Sequence, residues 1–146
     1  MKKNGFSLVE LLVILAIMIM LAAMILAGGL YRSRTKAKEA IVKNELAAIY
    51  KAAENYTNDY GNYPANAPSG GIPQDLKTYL SKNKDWTTGP WPASSYEWEN
   101  YDDTLGIIQI TLRNVPSKGN LYWCIKGSCV PDPSGGGGAG ECVNCQ

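Results

Sequence analysis

The chain has 146 residues, of which 45% are hydrophobic and 18% are charged, and its formal net charge is +1. These proportions exclude a disordered or collagen-like chain, and the near-neutral charge gives no global attraction to nucleic acid. The chain contains no histidine, which excludes Ser-His and Cys-His catalysis and histidine-ligated metal sites.

The N-terminal part of the chain carries a long apolar run. Every residue from 11 to 27 is apolar, and no charged residue occurs between Leu11 and Tyr31. A helix needs about 20 apolar residues to cross a membrane. The run exceeds the apolar region of an ordinary secretory signal, although Ala27-Gly28-Gly29 is similar to a cleavage site. We therefore predict a membrane-spanning helix over residues 6–31, with a cleaved signal peptide as the alternative.

The residues before this run carry a recognisable pattern. A short basic leader ends at Gly5, Phe6 follows, and Glu10 stands four residues later at the start of the apolar run. The segment GFSLVELL closely resembles the class III signal of type IV pilins and type II secretion pseudopilins, in which GFTLIELL is typical. The whole chain is accordingly interpreted as similar to that family.

The resemblance implies how these residues are processed and used. A prepilin peptidase on the cytoplasmic face would remove the leader, residues 1–5, by cutting between Gly5 and Phe6, and would methylate the new amine of Phe6. In filaments of the family, the glutamate of one subunit meets the terminal amine of a neighbour, which assigns assembly to Phe6 and Glu10. Opposite charges that pair in hydrocarbon cost less than either charge alone. The alternative is that Glu10 only snorkels to the membrane interface.

Two rules disagree on the orientation of the chain. Lys2 and Lys3 precede the apolar run, whereas four basic residues follow it, and a count of basic residues would leave the C-terminal side in the cytoplasm. The resemblance puts that side outside, because the leader must meet a cytoplasmic peptidase. We expect a single-pass cytoplasmic membrane protein with its N-terminus inside before assembly, and an extracellular or envelope filament afterwards. The implied partners are further copies of the chain, the peptidase, the membrane and an inner-membrane assembly platform.

The helix is predicted to continue beyond the membrane as an amphipathic half over residues 32–60. Residues 32–58 lack Pro and Gly, and their apolar members recur at spacings of three and four, as on one face of a helix. This stripe consists of Val42, Leu46, Ile49, Ala53, Tyr56 and Tyr60. Gly28 and Gly29 are either a weak point of the helix or small residues that permit close helix packing.

Residues 61–130 have the pattern of a small strand-rich head. Strands are predicted over 96–101, 107–115 and 121–125, with turns at 102–103 and 116–120, which indicates an antiparallel meander. Its apolar face should pack on the helical stripe. The predicted fold is therefore α+β, with a long N-terminal helix packed on a small antiparallel sheet, as in pilins. The many Trp and Tyr residues of the head are assigned to its core, with sugar or base binding as the alternative.

The tail, residues 131–146, is Gly-rich, and the four cysteines all lie in the last quarter of the chain: Cys124, Cys129, Cys142 and Cys145. Their spacing permits a four-cysteine zinc site, but an external location favours disulfides. Pilins commonly tie a C-terminal loop to the sheet. The resemblance thus implies at least one bridge from Cys124 or Cys129 to Cys142 or Cys145.

No metal or cofactor is expected. The acidic residues Asp102, Asp103 and Asp132 suggest calcium as an alternative, since major pseudopilins often hold this ion in the head. Their spacing does not match a known calcium loop such as the EF-hand.

The expected function is structural and non-enzymatic: a subunit of a type IV pilus-like filament. The alternatives are a pseudopilin of a type II secretion or DNA-uptake machine and, from another class, a membrane-tethered monomeric binding protein. The head and the tail together, residues 61–146, are mildly acidic, so no nucleic-acid binding is expected of the isolated head.

Overall fold

The computed structural model describes residues 7–67, 70–129 and 140–144, and between residues 25 and 32 it describes the backbone alone. Three helices and four strands follow in chain order: α1 (Leu8–Tyr60), α2 (Gln74–Lys77), β1 (Ser95–Tyr101), α3 (Asp102–Leu105), β2 (Ile107–Val115), β3 (Gly119–Lys126) and β4 (Gly140–Asn144). The chain divides into two compact units, residues 1–39 and 40–146.

The first unit is the N-terminal part of α1. Its side chains from Ser7 to Met24 are all exposed, and large apolar ones such as Leu8 (79%) and Ile19 (69%) have most of their surface free. Among the residues that the structure describes, no helix is both long enough and apolar enough to cross a membrane. The membrane-spanning half over residues 6–31 stays a prediction.

The second unit contains the end of α1 and the sheet. Val42, Leu46, Ile49 and Ala53 are fully buried, which confirms the predicted stripe over these four positions. The prediction is wrong in the last turn, where Tyr60 is 64% exposed.

α1 ends at Tyr60, and the next residue, Gly61, has a φ of +79°. The N–H of Gly61 donates to the carbonyl of Thr57 at 2.7 Å. This left-handed conformation is inexpensive only for glycine, which explains why α1 stops there.

The four strands form one sheet in the order β1-β2-β3-β4. β1, β2 and β3 are antiparallel neighbours, with Trp98 opposite Ile110 and Thr111 opposite Tyr122. The three predicted strands and their meander are thus confirmed. β4 was not predicted and pairs parallel to β3, so the sheet is mixed.

Loops cover the outer edge of β1. The backbone N–H of Tyr96 donates to the carbonyl of Thr87 at 3.2 Å, and that of Trp98 donates to the carbonyl of Gly71 at 3.0 Å. The next backbone N–H that points outward from this edge belongs to Asn100, and it donates to the side-chain oxygen of Asn66 at 2.6 Å. The backbone donors of the first strand are therefore satisfied within the head.

Alternation along the strands gives the sheet two faces. One face joins the helical stripe in a single apolar core, to which it contributes Tyr96, Trp98, Ile108, Ile110, Leu112 and Leu121. Two indole N–H groups have backbone partners, since Trp98 donates to Pro64 and Trp86 donates to Ser81, each at 2.9 Å. The core assignment holds for five aromatic residues, which are buried, whereas Tyr101 and Trp123 are only half-buried. The buried ones are Trp86, Trp91, Tyr96, Trp98 and Tyr122.

Candidate functional site

The first turn of α1 holds Glu10, the predicted assembly residue. Its Oε2 accepts a hydrogen bond from the backbone N–H of Ser7 at 3.4 Å. Ser7 and Glu10 thus follow the S-x-x-E pattern of a capping box, a signal present in the sequence that the prediction did not use. A carboxylate at this end also interacts favourably with the helix dipole.

The other residues of the predicted processing site, Gly5 and Phe6, lie outside the described residues. The pairing of the Phe6 amine with Glu10 therefore stays a prediction.

Glu10 lies on an open, exposed surface of α1. Ser7 and, from the same helix, Val9, Val13 and Ile14 surround it, so one carboxylate is flanked by apolar side chains. This arrangement suits a ligand with one positive charge and an apolar body. Further along, α1 is helical through Gly28 and Gly29, and their role as a weak point stays a prediction.

The three described cysteines meet at the end of β3. Cys124 and Cys129 form a disulfide, with Cα atoms 5.2 Å apart. The predicted bridge from either of them to the tail is therefore wrong. The physical reason is local: Gly127, with a φ of +71°, turns the chain between the two cysteines and brings them within bonding distance.

Cys142 lies next to this disulfide, because β4 pairs with β3 and places Cys142 opposite Tyr122. Its Sγ is 3.8 Å from the Sγ of Cys124, and Cys142 is itself disulfide-bonded. None of the described cysteines is a free thiol. Cys145 lies outside the described residues.

The cysteines and Asp102, the ligands that the zinc and calcium alternatives would use, form other bonds in the structure. The sulfurs of Cys124, Cys129 and Cys142 lie within 4.8 Å of one another, but as disulfides they offer no thiolate to zinc. Asp102, a calcium candidate, forms an ion pair with Lys126. Asp132 lies outside the described residues.

The comparisons with known proteins agree with the N-terminal pattern. Residues 1–26 match the family model of the prokaryotic N-terminal methylation motif, which is the class III signal of type IV pilins and pseudopilins. A search of curated proteins and a search of solved structures find no match to the chain.

The motif confirms the resemblance drawn from GFSLVELL. It supports a pilin-like or pseudopilin protein of the bacterial envelope with a structural rather than a catalytic role. It also implies processing by a prepilin peptidase and assembly at the membrane in general terms. The fold is α+β and pilin-like, with the second half of α1, from residue 40 onward, packed on a four-stranded sheet.

Proposed function

We propose that this chain is a structural, non-enzymatic subunit of a type IV pilus-like filament. The observation that carries the proposal is the methylation motif at residues 1–26, which overlaps the first part of α1, where the described apolar side chains of residues 8–24 are exposed. A run of exposed apolar residues of this length is rare on a monomer in water and marks a surface that lipid or another chain covers.

The proposed mechanism moves this segment from the membrane into a bundle of identical helices. Lipid tails are about as apolar as leucine, so the transfer gains little from the hydrophobic effect. Packing and a specific polar contact must therefore supply the preference for the filament. Glu10 is the one carboxylate in the described part of this segment, and an unpaired charge there is costly in lipid.

The surroundings of Glu10 support the specific contact. An ionised carboxylate has about four acceptor sites, and in the structure the Ser7 amide uses one of them. The remaining sites are available to the amine of Phe6 from a neighbouring subunit. The apolar side chains beside Glu10, those of Val9, Val13 and Ile14, suit the ring that accompanies this amine.

The proposal includes the route to the filament. Cleavage between Gly5 and Phe6 by the prepilin peptidase would give a single-pass protein with its head outside. An inner-membrane platform would then feed it into the polymer. A pseudopilin of a secretion or DNA-uptake machine would share every one of these steps. A membrane-tethered monomer would share only the anchor.

The test is the filament fraction that shearing releases from cells making wild type, Glu10→Gln or Ser7→Ala. Glu10→Gln keeps the shape and an acceptor for the Ser7 amide but removes the charge. A loss of about 1.4 kcal/mol per subunit contact lowers association tenfold, so we expect at least a tenfold smaller sheared fraction from Glu10→Gln. Membrane insertion and cleavage should be unchanged.

Ser7→Ala is the matched control, because it keeps both the backbone N–H and Glu10, and it should assemble like wild type. Wild-type amounts of filament from Glu10→Gln would show that the charge pair is not needed. If wild type itself yields no sedimentable filament, the tethered-monomer alternative replaces the proposal.

A further inference from the structure

Three tyrosines surround an open pocket at the C-terminal end of α1. The pocket has a volume of about 320 Å³ and is lined by Tyr56, Tyr60, Asp75, Thr78 and Tyr79. Tyr56 and Tyr60 lie one turn apart on α1, and the other three residues belong to α2 or follow it directly. All of them lie in the second compact unit.

The rings are held in a defined arrangement. The centroids of Tyr56 and Tyr60 are 4.5 Å apart with planes at 31°, and the ring of Tyr79 stands at 79° to that of Tyr56 at 6.2 Å. The hydroxyl of Tyr79 donates to Oδ2 of Asp59 at 2.5 Å. This hydrogen bond raises the pKa of Tyr79 to about 12.

The charge of the pocket has one sign. Asp75 is exposed, and its carboxylate makes no hydrogen bond or ion pair with any residue in the described part of the chain. None of the described lining residues is basic. Asp59, bound to Tyr79, adds a second carboxylate next to the rings. The pocket is therefore both aromatic and anionic.

We propose that this pocket binds a small organic cation of the quaternary ammonium class. The faces of aromatic rings attract cations, and several rings around one cation form the usual recognition site for alkylated ammonium groups. A metal ion is less suitable, because it would need several oxygen ligands and the pocket offers one unpaired carboxylate. Asp75 supplies the counter-charge.

A purely structural role does not account for Tyr60. Tyr79 packs against the core and Tyr56 is half-buried, but Tyr60 is 64% exposed. The helix already ends at Gly61 for a backbone reason. The exposed ring and the unpaired carboxylate of Asp75 are what a ligand would use.

The test is a titration of the full chain with choline chloride, followed by the NMR signals of isotope-labelled tyrosine rings. A polyoxyethylene detergent is used, since it is neither a sugar nor an ammonium compound. Sodium chloride controls for ionic strength, and 3,3-dimethylbutan-1-ol serves as the neutral molecule of the same shape. We expect saturable shifts of the Tyr56, Tyr60 and Tyr79 rings with choline alone, with a dissociation constant on the order of millimolar.

Variants separate the two parts of the site. Tyr60→Leu and Asp75→Asn should each weaken binding about threefold or more, whereas Tyr60→Phe, which keeps the ring, should stay within about twofold. Asp103→Asn, at an exposed carboxylate on α3, is the matched control and should leave binding unchanged. Near-ultraviolet circular dichroism checks that each variant is folded.

Three outcomes would overturn the proposal. The neutral alcohol could bind as well as choline, or Asp75→Asn could leave choline binding intact. The rings could also fail to respond to choline at about 50 mM, well above the expected millimolar range. A response to galactose in place of choline would identify the pocket as a carbohydrate site instead.

Discussion

Glu99 is the most unusual single side chain of the head, because it is a carboxylate only 2% exposed to solvent. It accepts hydrogen bonds from Gln109 at 2.5 Å, Thr111 at 2.7 Å and Arg113 at 3.1 Å. Burial raises its pKa above the ordinary 4.5, although these donors and the charge of Arg113 act in the opposite direction. Desolvation is the larger effect.

This pKa shift predicts a pH-dependent contribution to stability. Because the pKa is higher in the folded state, the folded protein binds more protons than the unfolded one once the pH rises above about 4.5. The contribution of Glu99 is therefore greatest below that pH and is lost as the pH rises through the folded-state value. Since one proton is involved, the slope cannot exceed about 1.4 kcal/mol per pH unit.

We expect Glu99→Gln to remove this slope. Urea unfolding of wild type and variant between pH 4.5 and 8, followed by tryptophan fluorescence, gives the difference in free energy of unfolding; the starting pH is the ordinary pKa of the group. All four tryptophans lie in the second compact unit, so the signal reports on the head. Parallel curves for the two proteins would contradict the prediction.

The burial of Glu99 could not be predicted from the sequence. In the pattern YEWENY, Tyr96 and Trp98 lie in the core as expected, Tyr101 is only half-buried, and the alternation gives no sign that a carboxylate between them is buried. Alternation identifies the face of the sheet on which a side chain lies, but it cannot say what covers that face. The prediction for Tyr60 failed in the opposite way. The apolar spacing of the helix continues to this residue, but its side chain lies outside the core.

At the scale of elements, the sequence predicted α1 and the three antiparallel strands to within about two residues, since their periodicity is strong and breakers bound them. β4 was missed because GECVN has no clear alternation and follows a glycine-rich tract. The cysteine pairing was wrong because it depended on the family's habit, whereas the turn at Gly127 determined the geometry.

β4 depends on a glycine. A Cβ built on Gly140 would lie 2.1 Å from Cε2 of Tyr122 and 2.9 Å from the carbonyl oxygen of Asn120. We therefore expect Gly140→Ala to displace the strand and to destabilise the head by about 1–3 kcal/mol, the usual cost of overpacking. Hydrogen exchange of the amides in residues 141–144 should become faster.

Glu141→Ala is the control for this variant. Its side chain is 58% exposed and pairs with Lys118 at 3.1 Å, a surface contact worth about 0–1 kcal/mol. This change should leave the exchange of the β4 amides nearly unaltered. Equal exchange rates in Gly140→Ala and wild type would show that the strand tolerates the methyl group.

At the scale of the whole molecule, the motif at residues 1–26 gives a prediction about the mature chain. Mass spectrometry of the protein extracted from membranes should find a start at Phe6 that carries one added methyl group. Gly5→Glu is expected to block cleavage, because the residue before the cut is the leader glycine of the family pattern. A chain that starts at Met1, or near residue 28, would contradict this prediction.

The covered β1 edge of the sheet has a consequence for a crowded polymer. An exposed strand edge is a template on which any other strand can add, and identical heads held side by side would risk joining in this way. Here loop residues such as Thr87 and Gly71 occupy the outer side of β1, whereas β4 is the outer strand at the opposite side of the sheet. If copies polymerise as proposed, a strand of a neighbouring head cannot add at the β1 edge, because its backbone donors are already bonded within the head.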